Sequence, residues 1–251
     1  MKEGCTLYRD WREVAADKSL EGVLIATPPG RHFEMARLAL DHGVPCFVEK
    51  PFTLDLAEAR GLRDRAMAFG VPVLVNHIHL YNSTYQALKA RVADQGGLRA
   101  VRMVSGNLGP FRSDCGPLWD WGSHDVALAL DLAGGKPLGV TAEPLEQRMT
   151  ANGPGALWSI TLQFADEVTA EITTGNIMSP KSRRLEASCD GGNFVFDDQA
   201  PVAEGSGAAP PLDRALTGFA EAVRGERDLA VELDLAVSVI EVLTACGSPN
   251  N

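Results

Sequence analysis

In the first third of the chain, apolar positions fall in short runs separated by stretches of helical spacing. Residues 22–26 (GVLIA) form a run suited to a strand covered on both faces. It stops at Thr27-Pro28-Pro29, where proline removes the ladder donor. Over 31–42, Phe33, Ala36 and Leu40 recur at helical intervals, and Gly43 is suited to follow the helix end. A second apolar run, 44–48, leads into Glu49-Lys50-Pro51. Asp55 and Glu58 stand at capping-box spacing and open a helix to Phe69, which Gly70 stops; residues 71–75 supply a third strand. Strands alternating with helices of this length predict right-handed βαβ units and a parallel sheet.

After about Tyr81 the pattern changes. A helix is predicted over 83–93, a strand over 98–106, and a helix over 119–132 ended by Gly134-Gly135. Strand-like stretches follow at 138–142, 157–164, 168–174, 184–188 and 193–196. Without helices between them, such strands predict a mainly antiparallel, open sheet. Residues 199–211, rich in Ala, Gly and Pro, read as a loop, and helices over 213–224 and 232–245 close the chain. The expected fold class is thus α/β plus α+β, divided into 1–78 and 79–251.

Composition narrows the function classes. The 251 residues are 45% hydrophobic, which rules out a wholly disordered chain. With 23 Lys+Arg against 33 Asp+Glu the net charge is −10, so neither nucleic acid nor an anionic membrane surface is an expected partner. No apolar run is long enough to span a bilayer, and residues 1–19 show no apolar h-region, so neither a membrane span nor a secretory leader is expected. The five cysteines, Cys5, Cys46, Cys115, Cys189 and Cys246, are odd in number and widely spaced, with no CxxC pair. They read as free thiols of a cytoplasmic protein.

Two segments carry chemistry. The first is Ala26-Thr27-Pro28 with His32 four residues after Pro28, followed one strand later by Glu49-Lys50-Pro51. The second is GPLWDWGSHD, residues 116–125, followed by Gly134 to Pro137. In this order, with Lys50 and Asp120 about 70 residues apart, the chain resembles the Gfo/Idh/MocA oxidoreductases over nearly its whole length. The resemblance implies an incomplete Rossmann-type parallel sheet followed by a substrate-binding and oligomerisation domain. It implies NAD or NADP as cofactor, and a sugar, cyclitol or related polyol oxidised or reduced at a carbinol.

It also implies roles. Lys50 polarises the substrate hydroxyl, His124 is the acid/base, and Asp120 is a substrate or imidazole partner. Thr27, Pro28, Pro29, His32, Glu49 and Lys50 lie along the cofactor, and Pro29 stands where the family often has Asn. Much of the family has an Arg near residues 75–82, where this chain has His77 and His79. Asn76, His79 and Trp119 are expected to line the substrate site. The family also suggests a homo-oligomer.

Each residue also has a plainer reading. Lys50 can snorkel to water beside Glu49. Asp120 and His124 can be an i,i+4 pair on an outer turn. His32 can be packed at a helix start, and Trp119 and Trp121 can be core aromatics. Asp125 and Asp131 read as capping or solvating their helix. His77 and His79, two apart on a strand, would face one way, but no Cys or carboxylate at ligand spacing joins them, so no metal is expected.

No G-x-G-x-x-G occurs in the 251 residues, nor the acidic residue that would follow it on the adenosine ribose. The expectation is that the first βαβ unit is missing and that this chain binds NAD weakly or not at all. Two readings stay open: a fragment of a longer enzyme, or a degenerate binding or scaffold member. Retention of Lys50, Asp120 and His124 favours the first. An NAD-using lyase or glycosidase of the same fold is a further alternative.

Overall fold

The structure is a computed structural model and describes residues 6–200 and 209–248. Cys5 and most of the predicted 199–211 loop lie outside the described residues. The other four cysteines are free thiols.

The chain begins with a short helix, α1 (Trp11–Ala16), which the sequence reading did not anticipate. Three parallel strands follow, β1 (Val23–Ile25), β2 (Cys46–Glu49) and β3 (Val73–Asn76), paired in the order β1-β2-β3. The helices α2 (His32–Asp41) and α3 (Leu56–Phe69) connect them. Asp55 caps α3 by accepting from the Glu58 amide at 2.9 Å, and Gly70 closes it in the left-handed region at φ 65°. These are the two signals that placed the helix.

The expectation of a strand covered on both faces holds for β2 and β3 and fails for β1. β1 is three residues long and leaves Leu24 61% exposed, because among the described residues it lies at the sheet edge with only β2 beside it.

The remainder builds a second sheet. In chain order it contains α4 (Ser83–Gln95), β4 (Leu98–Leu108), α5 (Pro117–Ala133), β5 (Gly139–Thr150), β6 (Gly153–Gln163), β7 (Thr169–Gly175), β8 (Ile177–Cys189) and β9 (Gly192–Asp197). The six strands pair in the order β5-β6-β7-β4-β8-β9, all antiparallel except β4 with β7. β5 and β8 run well past the predicted stretches. Their extra residues are mostly polar and half-buried or exposed, so no apolar run announces them.

The tail, α6 (Pro211–Val223) and α7 (Ala230–Cys246), returns to the parallel sheet. Pro211, read as loop, is instead the first helical residue of α6, where its missing N–H costs nothing. Phe219 of α6 meets Phe47 of β2 edge-on at 5.8 Å, in a cluster with Leu74, Ala215, Ala222 and Leu229. The helix thereby covers the face of the sheet opposite α2 and α3. α7 packs against α3, α5 and β3. The C-terminal helices therefore hold the two sheets in one body.

Phe219 is 5% exposed, so truncating it removes most of the apolar cover of that face. Phe219→Ala is expected to lower unfolding free energy by about 3–5 kcal/mol in urea titration. A loss under about 1 kcal/mol would show that α6 is not anchored there.

Candidate active site

Ligands of parallel α/β sheets bind beyond the carboxyl ends of the strands. Here those ends carry Thr27 after β1, Glu49 at the end of β2 with Lys50 just after it, and Asn76 at the end of β3 with His77 just after it. The turn after β1 is tied to the turn after β2 by His32. Its Nδ1 lies 2.8 Å from the Pro51 carbonyl and its Nε2 2.9 Å from the Thr27 carbonyl, and the residue is fully buried. Both ring nitrogens are therefore spent on main chain, so His32 holds the loops and has no atom left for a cofactor. Pro29 is buried with it, whereas Pro28 is exposed and Thr27 half-exposed. Glu49 accepts from the Asn76 amide at 2.8 Å.

The first turn of α5 comes down onto this edge. Pro117 occupies its first position and Asp120 the last residue of that turn. The Lys50 Nζ donates to Asp120 Oδ1 and to the Asp120 main-chain carbonyl, both at 2.7 Å, with side chains only 17% and 12% exposed. Lys50 is thus no snorkelling surface lysine. Asp120, expected as a substrate or imidazole partner, makes no bond to the His124 imidazole here; its Oδ1 is held by Lys50. His124 instead meets His79 edge-on at 4.8 Å, and its Nδ1 is buried without a partner.

Burial, with the charges of Lys50 and Arg183 added to it, pushes His124 well below the ordinary imidazole range. Burial, then Arg183 and Lys50, likewise takes His79 down to about 2. His77 is pushed to about 4, by burial and then by Lys50. These rings are neutral near pH 7, and a neutral imidazole can accept a proton.

Lys50, Asp120 and His124 share one cavity of about 250 Å³ with Pro110, Arg112, Trp121 and Arg183. Three residues expected to line it do not. Trp119 is 1% exposed, and its indole N–H donates to the Gly247 carbonyl at 3.0 Å; helical geometry sends its neighbour Trp121 to the cavity instead. Asn76 is 3% exposed and lies beneath the edge. His79 touches His124 but is not among the lining residues.

His77 and His79 do not share a strand face either. His79 lies in a single helical turn, Ile78–Tyr81, and among the described residues no group of three or more His, Cys, Asp or Glu is placed to hold a metal. Asp125 and Asp131 do not solvate the helix. Asp125 is fully buried and accepts from Thr174, and Asp131 accepts from Tyr85 and Lys89, each at 2.7 Å. A larger hollow, about 440 Å³, opens between the start of β3 and the α6–α7 turn, at the opposite edge of the sheet.

The nicotinamide end of a dinucleotide fits this edge by its donor set. The buried Asn76 Oδ1 and both His77 ring nitrogens have no partner, and Thr27 and Pro28 remain accessible. A glycine-rich diphosphate cradle is absent from the sequence, so no residue is assigned to the phosphates.

His77 gives a pH signature. Its pKa is lower folded than unfolded, so the unfolded chain binds the extra proton first. Stability is complete above about 6.5 and is lost as pH falls toward 4. Between about pH 7.5 and about pH 5 this group alone should remove about 2 kcal/mol. Urea titrations of the native chain and of His77→Asn measure it, the variant losing correspondingly less. Identical slopes would clear His77 of the effect.

Comparison with known proteins agrees with the geometry. Residues 1–77 match the family model described as an oxidoreductase family with an NAD-binding Rossmann fold, and residues 85–195 match the GFO/IDH/MocA C-terminal domain. The chain is 35% identical over 170 residues to the UDP-N-acetylglucosamine 3-dehydrogenase of Acidithiobacillus ferrooxidans, covering 66% of this chain and 52% of that protein. It is 25% identical over 201 residues to an NADP-dependent scyllo-inositol 2-dehydrogenase of Bacillus subtilis, covering 75% and 55%. The chain spans about half the length of the curated relatives it matches. A crystal structure of a putative oxidoreductase from Magnetospirillum magnetotacticum superimposes with a TM-score of 0.89 at 37% identity, over 98% of this chain and 86% of that one. The strand-end turns, the α5 helix crossing them and these matches give one assignment: the chain belongs to the Gfo/Idh/MocA oxidoreductase family, whose cofactor is a nicotinamide dinucleotide.

Proposed function

We propose that this chain carries the catalytic residues of an NAD- or NADP-dependent dehydrogenase acting on a carbinol of a sugar, cyclitol or related polyol. One observation carries the reading: the Lys50–Asp120 pair and the neutral His124 face a single small cavity at the carboxyl edge of the parallel sheet. The relatives named as sugar-nucleotide and inositol dehydrogenases support the substrate class. Buried free thiols support a cytoplasmic setting. Outward apolar residues of the second sheet, among them Val104, Leu108 and Val195, support a homo-oligomer.

A bound nicotinamide supplies the hydride acceptor. The protein's own residues handle the hydroxyl. Lys50 is fixed through two bonds to Asp120 and keeps one N–H free for the substrate oxygen. As the carbinol C–H breaks and C=O forms, the hydroxyl proton passes to the His124 ring. Lys50 stabilises the negative charge that develops on oxygen meanwhile. Asp120 holds Lys50 in place and balances its charge. Thr27 and Pro28 border the place where the nicotinamide ribose would sit, and His32 keeps their loop against Pro51.

Reduced-nicotinamide formation with inositols, xylose and UDP-sugars tests the reading. His124→Ala should lower turnover by about 10²–10⁴-fold with cofactor affinity kept. Unchanged turnover would remove His124 from the mechanism. Substrate loss without net reduced nicotinamide would replace the dehydrogenase by a lyase or glycosidase with internal redox.

A further inference from the structure

The second sheet carries a polar row on its helix-facing side. Ser105 of β4 stands opposite Thr174 of β7 and opposite Arg183 of β8. All three are buried, and α5 lies over them. Polar groups there must bond to one another. Thr174 donates to Asp125 Oδ2 at 2.6 Å, and Arg183 Nε donates to the Ser105 hydroxyl at 3.1 Å.

The guanidinium is nevertheless left short. Arg183 is 4% exposed, its Nη1 is buried with no partner, and the nearest acid, Asp198, is 4.0 Å from Nε. Asp125 gives one oxygen to Thr174 and its Oδ1 has no hydrogen-bond partner; burial lifts its carboxyl above the usual range against the opposing charge of Arg183, which weakens it as a counter-ion. The Asp198 contact, at the outer limit of an ion pair, leaves the buried guanidinium incompletely bonded, which is unfavourable.

The other two cations of the cavity are matched. Lys50 holds Asp120, and Arg112 is bidentate to Asp114 at 2.9 and 2.6 Å. Among the described cations lining the cavity Arg183 alone keeps a buried donor unfilled, beside the unpartnered Trp121 Nε1 and His124 Nδ1, and its guanidinium sits 5.5 Å from the Trp121 ring, which borders the same cavity. The positive field is felt around it, since Arg183 and Lys50 both help to keep His79 and His124 uncharged.

We infer that Arg183 is a specificity-determining residue that receives a carboxylate of the substrate, so that this site takes a sugar acid or an acidic cyclitol of single-ring size. The inference rests on the dehydrogenase reading for the hydroxyl end of the site and adds the group at the other end. A planar carboxylate matches the guanidinium fork, with two parallel N–H···O bonds. A cavity near 250 Å³ lies under the roughly 300–1,000 Å³ usual for larger ligands, which favours one ring. Trp121 offers that ring an apolar wall.

Direct calorimetric binding without cofactor tests the inference, with glucuronate, its neutral amide glucuronamide, glucose and glucose 6-phosphate as probes. The native chain should bind glucuronate at least about tenfold more tightly than glucuronamide or glucose, the scale of one charge-assisted bond. Arg183→Gln should collapse that ratio to near one, and Arg183→Lys should restore part of it. Equal binding of glucuronate and glucuronamide by the native chain overturns the inference even if no variant folds. A preference that survives Arg183→Gln also overturns it, as does tighter binding of glucose 6-phosphate than of glucuronate. An Arg183-dependent preference for glucuronate without hydride transfer would leave the anion site standing and remove the dehydrogenase. Turnover of neutral polyols with no acid preference would do the reverse.

Discussion

The bond from Lys50 to Asp120 joins the end of β2 to the first turn of α5, and the arrangement of the site depends on it. Lys50 Nζ engages both the Asp120 side chain and its main-chain carbonyl, so it fixes the helix backbone as well as the carboxylate. Both side chains are mostly buried, where removing one partner leaves the other charged and unsolvated, typically a loss of about 3–5 kcal/mol. Asp120 lies one turn before His124, whose imidazole is kept neutral by burial and by the neighbouring cations.

That constraint works only if the two sheets cannot shift against each other. α5 packs on β4, β6 and β7, while α6 and α7 reach back across the parallel sheet. His32 performs the corresponding task within the parallel half, bracing the turns after β1 and β2 against each other through carbonyls. The distances within the candidate site are therefore set by rigid elements and the residues directly at their ends, as precise positioning requires.

Much of this was legible in the chain. The three parallel strands, the helices between them, the Asp55 cap and the Gly70 and Gly134 stops all rest on local chemistry, and the structure reproduces them. So did the grouping of Lys50, Asp120 and His124, which came from motifs and not from periodicity. Other features were hidden because they are properties of pairing. The Asp120 partner is 70 residues away, and no local pattern chooses between Lys50 and His124 for it. Trp119 and Trp121 are alike in sequence, and only the direction of the core separates them.

Arg183 shows where a signal existed and went unread. Taken as a strand from residue 184, β8 seems to begin outside the core. Carried back by one residue, the alternation Leu185, Ala187, Cys189 puts Arg183 on the buried side. Asp125 is the same case on α5, in a stripe with Leu118, Gly122 and Ala129. A charged residue in phase with an apolar set conflicts with the local rule, and such conflicts concentrate where a protein binds something. Asp125 resolves its conflict mainly inside the protein, through Thr174. Arg183 does so only in part, through Ser105, and the donor left over belongs to a residue lining the cavity that Lys50 and His124 share. The polar row under α5 thus ends in a residue whose hydrogen bonding the described residues leave incomplete.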